Sequence, residues 1–196
     1  MKLIMKKVTL VLGLALSLFS FKSSETATWS IDPVHSRVGF GITHLGINEV
    51  IGYFTKYEAK VTASKEDFSD AQFELSGDVA SVSTGFDGLD GHLKAADMMD
   101  ATATPKFTFK STSVTSKGGK NLEVKGDLTL HGITKPVTLD ATFNGALVHP
   151  MTKKNVAGFK LTGKINRKDF NVGKDLPDMV ASDIVTINAT TEFAKN

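Results

Sequence analysis

The residues of this chain best equipped for chemistry are its five histidines, His35, His44, His92, His131 and His149. Imidazole titrates near neutral pH and ligates metals, so each is a candidate base or ligand. Asp32, His35 and Ser36 follow one another like a compressed acid–base–nucleophile triad. On an extended strand, though, adjacent side chains point to opposite faces, so His35 and Ser36 do not easily meet. No G-x-S-x-G elbow is present to present a nucleophilic serine. His35 and His44 have opposite parity and make poor co-ligands without a bulge. There is no H-E-x-x-H and no cysteine, so the standard zinc spacings are missing. Gly39-Phe40-Gly41 and Lys117-Gly118-Gly119-Lys120 lack the spacing of a phosphate loop. The expectation is a protein without catalytic residues, metal site or cofactor, its histidines at the surface or hydrogen-bonded. The competing reading is an enzyme acting on a lipid or quinone through histidines that only the fold gathers.

The elements that must position these residues are read from hydrophobic period. The clearest stretch is Leu122 to Phe143. Leu122, Val124, Gly126, Leu128 and Leu130 share one face, and Val137, Leu139, Ala141 and Phe143 share another, with a turn over His131 to Pro136. Strict alternation predicts two strands, each with one dry face. Similar runs occur at Thr28–Asp32, His35–His44, Val50–Val61, Phe73–Ser81, from Phe107, and over Phe159–Ile165 and Val185–Phe193. In Val50–Val61 both parities carry apolar residues, which a bulge near Thr55-Lys56 reconciles. Only Gly88 to Asp100 changes period, with Leu89, Leu93, Ala96 and Met99 at helical spacing. About eight strands, one short helix and hairpin-length loops argue against a parallel α/β fold. Between a sandwich and an up-and-down barrel, long strands joined to their sequence neighbours favour the eight-stranded antiparallel barrel.

Residues 1–24 read as a secretory signal peptide: Lys2, Lys6 and Lys7, then an apolar run from Val8 to Phe21, then Ser23 and Ser24. That run is shorter than the roughly 20 residues that span a bilayer, so no stable membrane span is expected after processing. Residues 25–196 suit a single domain. Residues 1–22 hold four of the 23 basic residues and none of the 21 acidic ones, so the processed chain has a net charge near −2. The basicity of the whole chain therefore carries no argument for nucleic acid.

If the barrel is hollow, the inward register gives its walls as Phe40, Phe54, Phe73, Leu75, Phe107, Phe109, Leu128, Leu130, Phe143, Phe159, Leu161 and Ile165. Met98-Met99 is a candidate flexible lid. Such a lining suits an aliphatic chain. Gly77, Gly126, Gly163 and Gly52 recur in the inward register, marking either bends or room for a ligand, with bends the commoner cause.

Particular segments then resemble a known family. Trp29-Ser30-Ile31-Asp32 with His35-Ser36 and Val38-Gly39-Phe40, the Leu93-Lys94 to Asp100 region, Pro105-Lys106-Phe107-Thr108-Phe109, Gly126 through Val137, Asn166-Arg167-Lys168-Asp169-Phe170 and Ser182-Asp183-Ile184-Val185 resemble, in order, the motifs of the YceI-like family. The family often carries two aromatics where this chain has Met98-Met99. The resemblance implies a lipocalin-like barrel, periplasmic or secreted, that binds a polyisoprenoid, quinone or fatty-acid derivative without catalysis. The ligand expected is thus a long-chain lipid, with His35, Lys94, Arg167 and Lys168 as candidate head-group contacts. A homodimer is left open, and a filled barrel working through its surface is a further alternative.

Overall fold

The computed structural model describes residues 25–196; the expected signal peptide lies outside the described residues. All strands join one antiparallel sheet. They are β1 (Ala27–Ile31), β2 (Arg37–His44), β3 (Asn48–Phe54), β4 (Tyr57–Ala63), β5 (Gln72–Asp78), β6 (Val82–Ser83), β7 (Lys106–Gly118), β8 (Asn121–Leu130), β9 (Ile133–Val148), β10 (Asn155–Asn166) and β11 (Ala181–Lys195), with helix α1 (Asp87–Leu93) before β7. The order β1-β4-β5-β7-β8-β9-β10-β11 closes on itself, because β11 also pairs with β1. β2 pairs with β11 and β3, and β3 with β6. β1 runs into β2, β3 into β4 and β5 into β6 across short breaks. The described residues therefore form eight long strands in up-and-down order with one short α-helix, the barrel that the alternation predicts and the helix that the change of period predicts.

The breaks explain the mixed parity. Gly52 and Phe54 are buried before Thr55-Lys56, and Val61 and Ala63 after it, so the inward register moves from even to odd positions. Buried Ser81 satisfies the interrupted backbone: its carbonyl accepts from Thr55 N at 3.0 Å and its Oγ from Lys56 N at 3.0 Å. The break between β1 and β2 shifts parity in the opposite sense, from odd Trp29 to even Val38.

Two predicted boundaries move. The β8–β9 turn is only His131-Gly132, both at positive φ (50° and 72°), as in a type I′ hairpin. Histidine is one of the few side chains that visits this region readily. Ile133 to Pro136 belong to β9, where Pro136 faces Asp127. β10 pairs with β9 only as far as Leu139, so the missing N–H of Pro136 breaks no rung on that side. The helix ends at Leu93 rather than Asp100. Beyond it the chain continues in turns, with Met98 N bonded to Ala95 O at 3.0 Å and Asp100 at φ 47°.

The inward glycines are neither simple bends nor open space. A Cβ on Gly52 would strike the Phe40 ring, on Gly77 the Phe107 ring, on Gly126 the Phe109 ring, and on Gly163 the Leu139 side chain. Gly52 is the cross-strand partner of Phe40, and Gly77 that of Phe107. Each glycine makes room for a neighbouring strand's side chain to lie flat over it. Gly77→Val is therefore expected to cost about 1–3 kcal/mol by overpacking, measurable by urea denaturation.

A candidate ligand-binding cavity

One end of the barrel is plugged. Phe68, from the loop between β4 and β5, is 2 % exposed. Its ring lies 5.3 Å from Trp29, 5.0 Å from Phe143 and 5.1 Å from Phe159. Phe159 also meets Phe73 at 5.4 Å and Phe193 at 6.0 Å. Asp70 shapes the loop that delivers Phe68, accepting from Ser64 N at 3.0 Å and Lys65 N at 3.1 Å.

Above this plug lies a cavity of about 190 Å³. Phe40, Phe54, Phe73, Leu75, Phe107, Phe109, Leu128, Leu130, Leu161 and Ile165 line it, as do Leu139 and, from β11, Val185, Ile187, Ala189 and Phe193. Along β11 the wall runs from Val185 to Phe193, or ~27 Å at about 3.4 Å per residue. Leu93, Met98, Met99 and Val172 line the end opposite the plug. The Phe54 and Phe107 rings, on the strands either side of β5–β6, meet at 4.3 Å. Lys60 and Glu74 reach the cavity's edge and pair with each other at 2.9 Å.

Arg167 fastens the end of the barrel that Met98 and Met99 line. It follows β10 in a short 3-10 turn (Arg167–Phe170) and is 2 % exposed. Its Nε donates to Ser182 O at 3.1 Å. Nη1 donates to Val172 O at 3.1 Å and also to Gly173 O. Nη2 lies 2.9 Å from Leu176 O, 3.0 Å from Ala181 O and 3.0 Å from Asp183 Oδ1. Five N–H donors are all the group has, and these acceptors occupy them. A buried charge is tolerable only when paired and fully hydrogen-bonded, and here it organises segment 171–183. Gly173 N in turn donates to Asp97 O at 2.8 Å, joining that segment to the turns after α1.

The residues singled out from sequence fall into three groups. Ten of the twelve expected wall residues, with Met98 and Met99, surround the cavity. Phe143 and Phe159 do not; inward parity put them in the list, but at their depth the Phe68 plug fills the barrel. Of the candidate head-group contacts, only Arg167 touches the cavity, and its donors are engaged with backbone. Lys168 binds Asp183 at 2.9 Å. Lys94 is half-buried just beyond α1. His35 lies exposed on the barrel's flank, paired with Asp32. Phe68 had no sequence signal, being a single aromatic in a polar stretch. The β11 wall did: Val185, Ile187 and Ala189 alternate cleanly.

Asp32, His35 and Ser36 do not form a triad. His35 Nδ1 lies 2.9 Å from Asp32 Oδ2. Ser36 is buried and faces β11, its Oγ accepting from Glu192 N at 3.0 Å. The Asp32–His35 hydrogen bond holds Asp32 below its ordinary range and raises His35 above its own. The other histidines sit apart: His44 ends β2, His92 is in α1, His131 in the β8–β9 turn and His149 in the β9–β10 loop. Among the described residues, no helix is long and apolar enough to cross a membrane.

An eight-stranded barrel with an apolar cavity is an architecture consistent with binding a hydrophobic ligand. Comparison with known proteins places the fold. The chain is 40% identical to protein YceI of Shigella flexneri over 174 residues, 88% of this chain and 90% of that one. The crystal structure of Burkholderia cenocepacia BcnA superposes with a TM-score of 0.74 at 25% identity, covering 83% of this chain and 98% of BcnA. A polyisoprenoid binding domain from Saccharophagus degradans shares the fold alone, with a TM-score of 0.61 at 15% identity over 87% of this chain and 99% of that domain. The YceI-like domain profile matches residues 29–193, nearly all of the described barrel, and the chain belongs to the YceI-like family.

Proposed function

We propose that this protein carries the apolar chain of an amphipathic lipid in its lumen, in the periplasm or outside the cell, and performs no catalytic step. The observation that carries the reading is a cavity lined almost wholly by Phe, Leu, Ile, Val and Met, plugged at one end by Phe68. The polyisoprenoid named for the Saccharophagus domain is a chain of the right character. Each methylene removed from water is worth about 0.8 kcal/mol, so a dozen gross ~10 kcal/mol before ordering costs. The ligand-free volume of about 190 Å³ is below the ~300–1,000 Å³ usual for small-molecule sites. A long chain therefore enters by displacing side chains, and Met98 and Met99 are the most adaptable of the wall. The chain threads in from the end they line. Lys94 and Lys168 are the lysines best placed to meet its head group, since Arg167 has no donor to spare.

The test is uptake of a fluorescent long-chain fatty acid by delipidated protein. Leu128, 8 % exposed on the cavity wall, is replaced by Arg. A folded Leu128→Arg variant is expected to lose at least about tenfold in affinity, because a charge in an apolar lumen has no partner. Unchanged uptake by that variant moves the chain out of the lumen.

A further inference from the structure

The break between β1 and β2 leaves one cluster that the lumen does not use. Asp32 and His35 lie on its turn, and Glu192 lies beside them on β11. Backbone bonds fix the two sides together: Asp32 N donates to Glu192 O at 2.8 Å, and Glu192 N donates to Ser36 Oγ at 3.0 Å. Asp32 Oδ1 is held by Val34 N at 2.8 Å, which leaves Oδ2 toward His35. One ligand atom from each of Asp32, His35 and Glu192 lies within 4.8 Å of the other two. Among the described residues, no other three His, Asp or Glu side chains meet this way, and no lysine or arginine forms an ion pair with either carboxylate.

We propose that Asp32, His35 and Glu192 form a binding site for a zinc-class divalent cation on the flank of the barrel. Two carboxylates balance a doubly charged ion, and an imidazole selects borderline metals over calcium or magnesium. Zinc takes N and O ligands at ~2.0–2.2 Å, so its tetrahedral ligands stand ~3.3 Å apart. Asp32 Oδ2 and His35 Nδ1 are 2.9 Å apart and need only open slightly. Glu192, partly exposed, closes the remaining gap by rotating its side chain. The cation takes the place of the proton held between Asp32 and His35, which leaves to solvent, and water completes the shell. A bound ion clips the β1–β2 break to β11, across the seam where the barrel closes. Sequence spacing could not reveal the site, since β1–β11 pairing supplies its third ligand.

The experiment is titration of the purified protein with Zn²⁺ against a chromophoric chelator, with melting curves recorded with and without Zn²⁺. One Zn²⁺ per chain is expected, with a rise in melting temperature. His35→Ala and Glu192→Gln are each expected to weaken binding at least ~tenfold by removing a ligand, and to abolish the thermal shift. His149→Ala, in an exposed loop, leaves both unchanged. Near-UV circular dichroism of the His35→Ala variant verifies its fold, since this exposed side chain supports no core contact. Wild-type protein that takes up no Zn²⁺, or His35→Ala protein that binds it as tightly as wild type, overturns the site.

Discussion

Arg167→Ala is expected to lower stability by about 3–5 kcal/mol, the range for removing one partner of a buried charge network. The loss has two parts. Asp183 keeps Lys168 but loses the guanidinium. More important, the carbonyls of Val172, Leu176, Ala181 and Ser182 lose their donors together. Residues 171–180, between the 3-10 turn and β11, form no strand or helix of their own, so Arg167 is the main thing that gives them one shape. Arg167→Lys restores the charge but brings three donors instead of a planar fork, and recovers only part of the loss. Urea denaturation measures the first effect. Limited proteolysis measures the second, and cleavage is expected within 171–180 before the strands are cut. A variant within about 1 kcal/mol of wild type would show that the segment is held by other contacts.

Phe159→Ala is expected to cost about 3–5 kcal/mol as well, through a cavity that the plug cannot collapse to fill. Phe159 is fully buried and its ring meets four others, Phe68, Phe73, Phe143 and Phe193. The two wall-list residues that stand outside the cavity make this a discriminating case. Phe159→Ala reduces stability while a folded sample still takes up the fatty-acid probe, whereas Leu128→Arg removes uptake. Loss of uptake at Phe159 in a folded sample would extend the lumen into the plug.

Much of the fold was legible because burial on one face imposes a period of two. Leu122 to Leu130 and Phe159 to Ile165 have only one way to hide their apolar residues, and the structure uses it. The Thr55-Lys56 irregularity was visible for the same reason: a single straight strand cannot bury both Phe54 and Val61. The plug was not legible, because Phe68 reaches the core from an irregular loop at φ 56°, where no period applies. Parity also carries no depth, so it could not separate Leu161, on the cavity wall, from Phe159, two residues nearer the plug. Arg167 looked like a free cation for a head group because its acceptors are backbone carbonyls, which every sequence has and none advertises. The glycines were ambiguous for a related reason. Their meaning lay in Phe40, Phe107, Phe109 and Leu139 on adjacent strands, and register decides which of these falls over which glycine.

The claim on which the rest depends is that the lumen, and not the surface, receives an apolar chain. A crystal structure of delipidated protein soaked with a long-chain alcohol brominated at its tail tests it most directly. The account predicts anomalous bromine density inside the barrel, between Leu128 and Leu161 and above the Phe68 plug, with Met98 and Met99 moved from their ligand-free positions. Bromine found only on the outer face of the barrel, with the lumen wall unchanged, would contradict it.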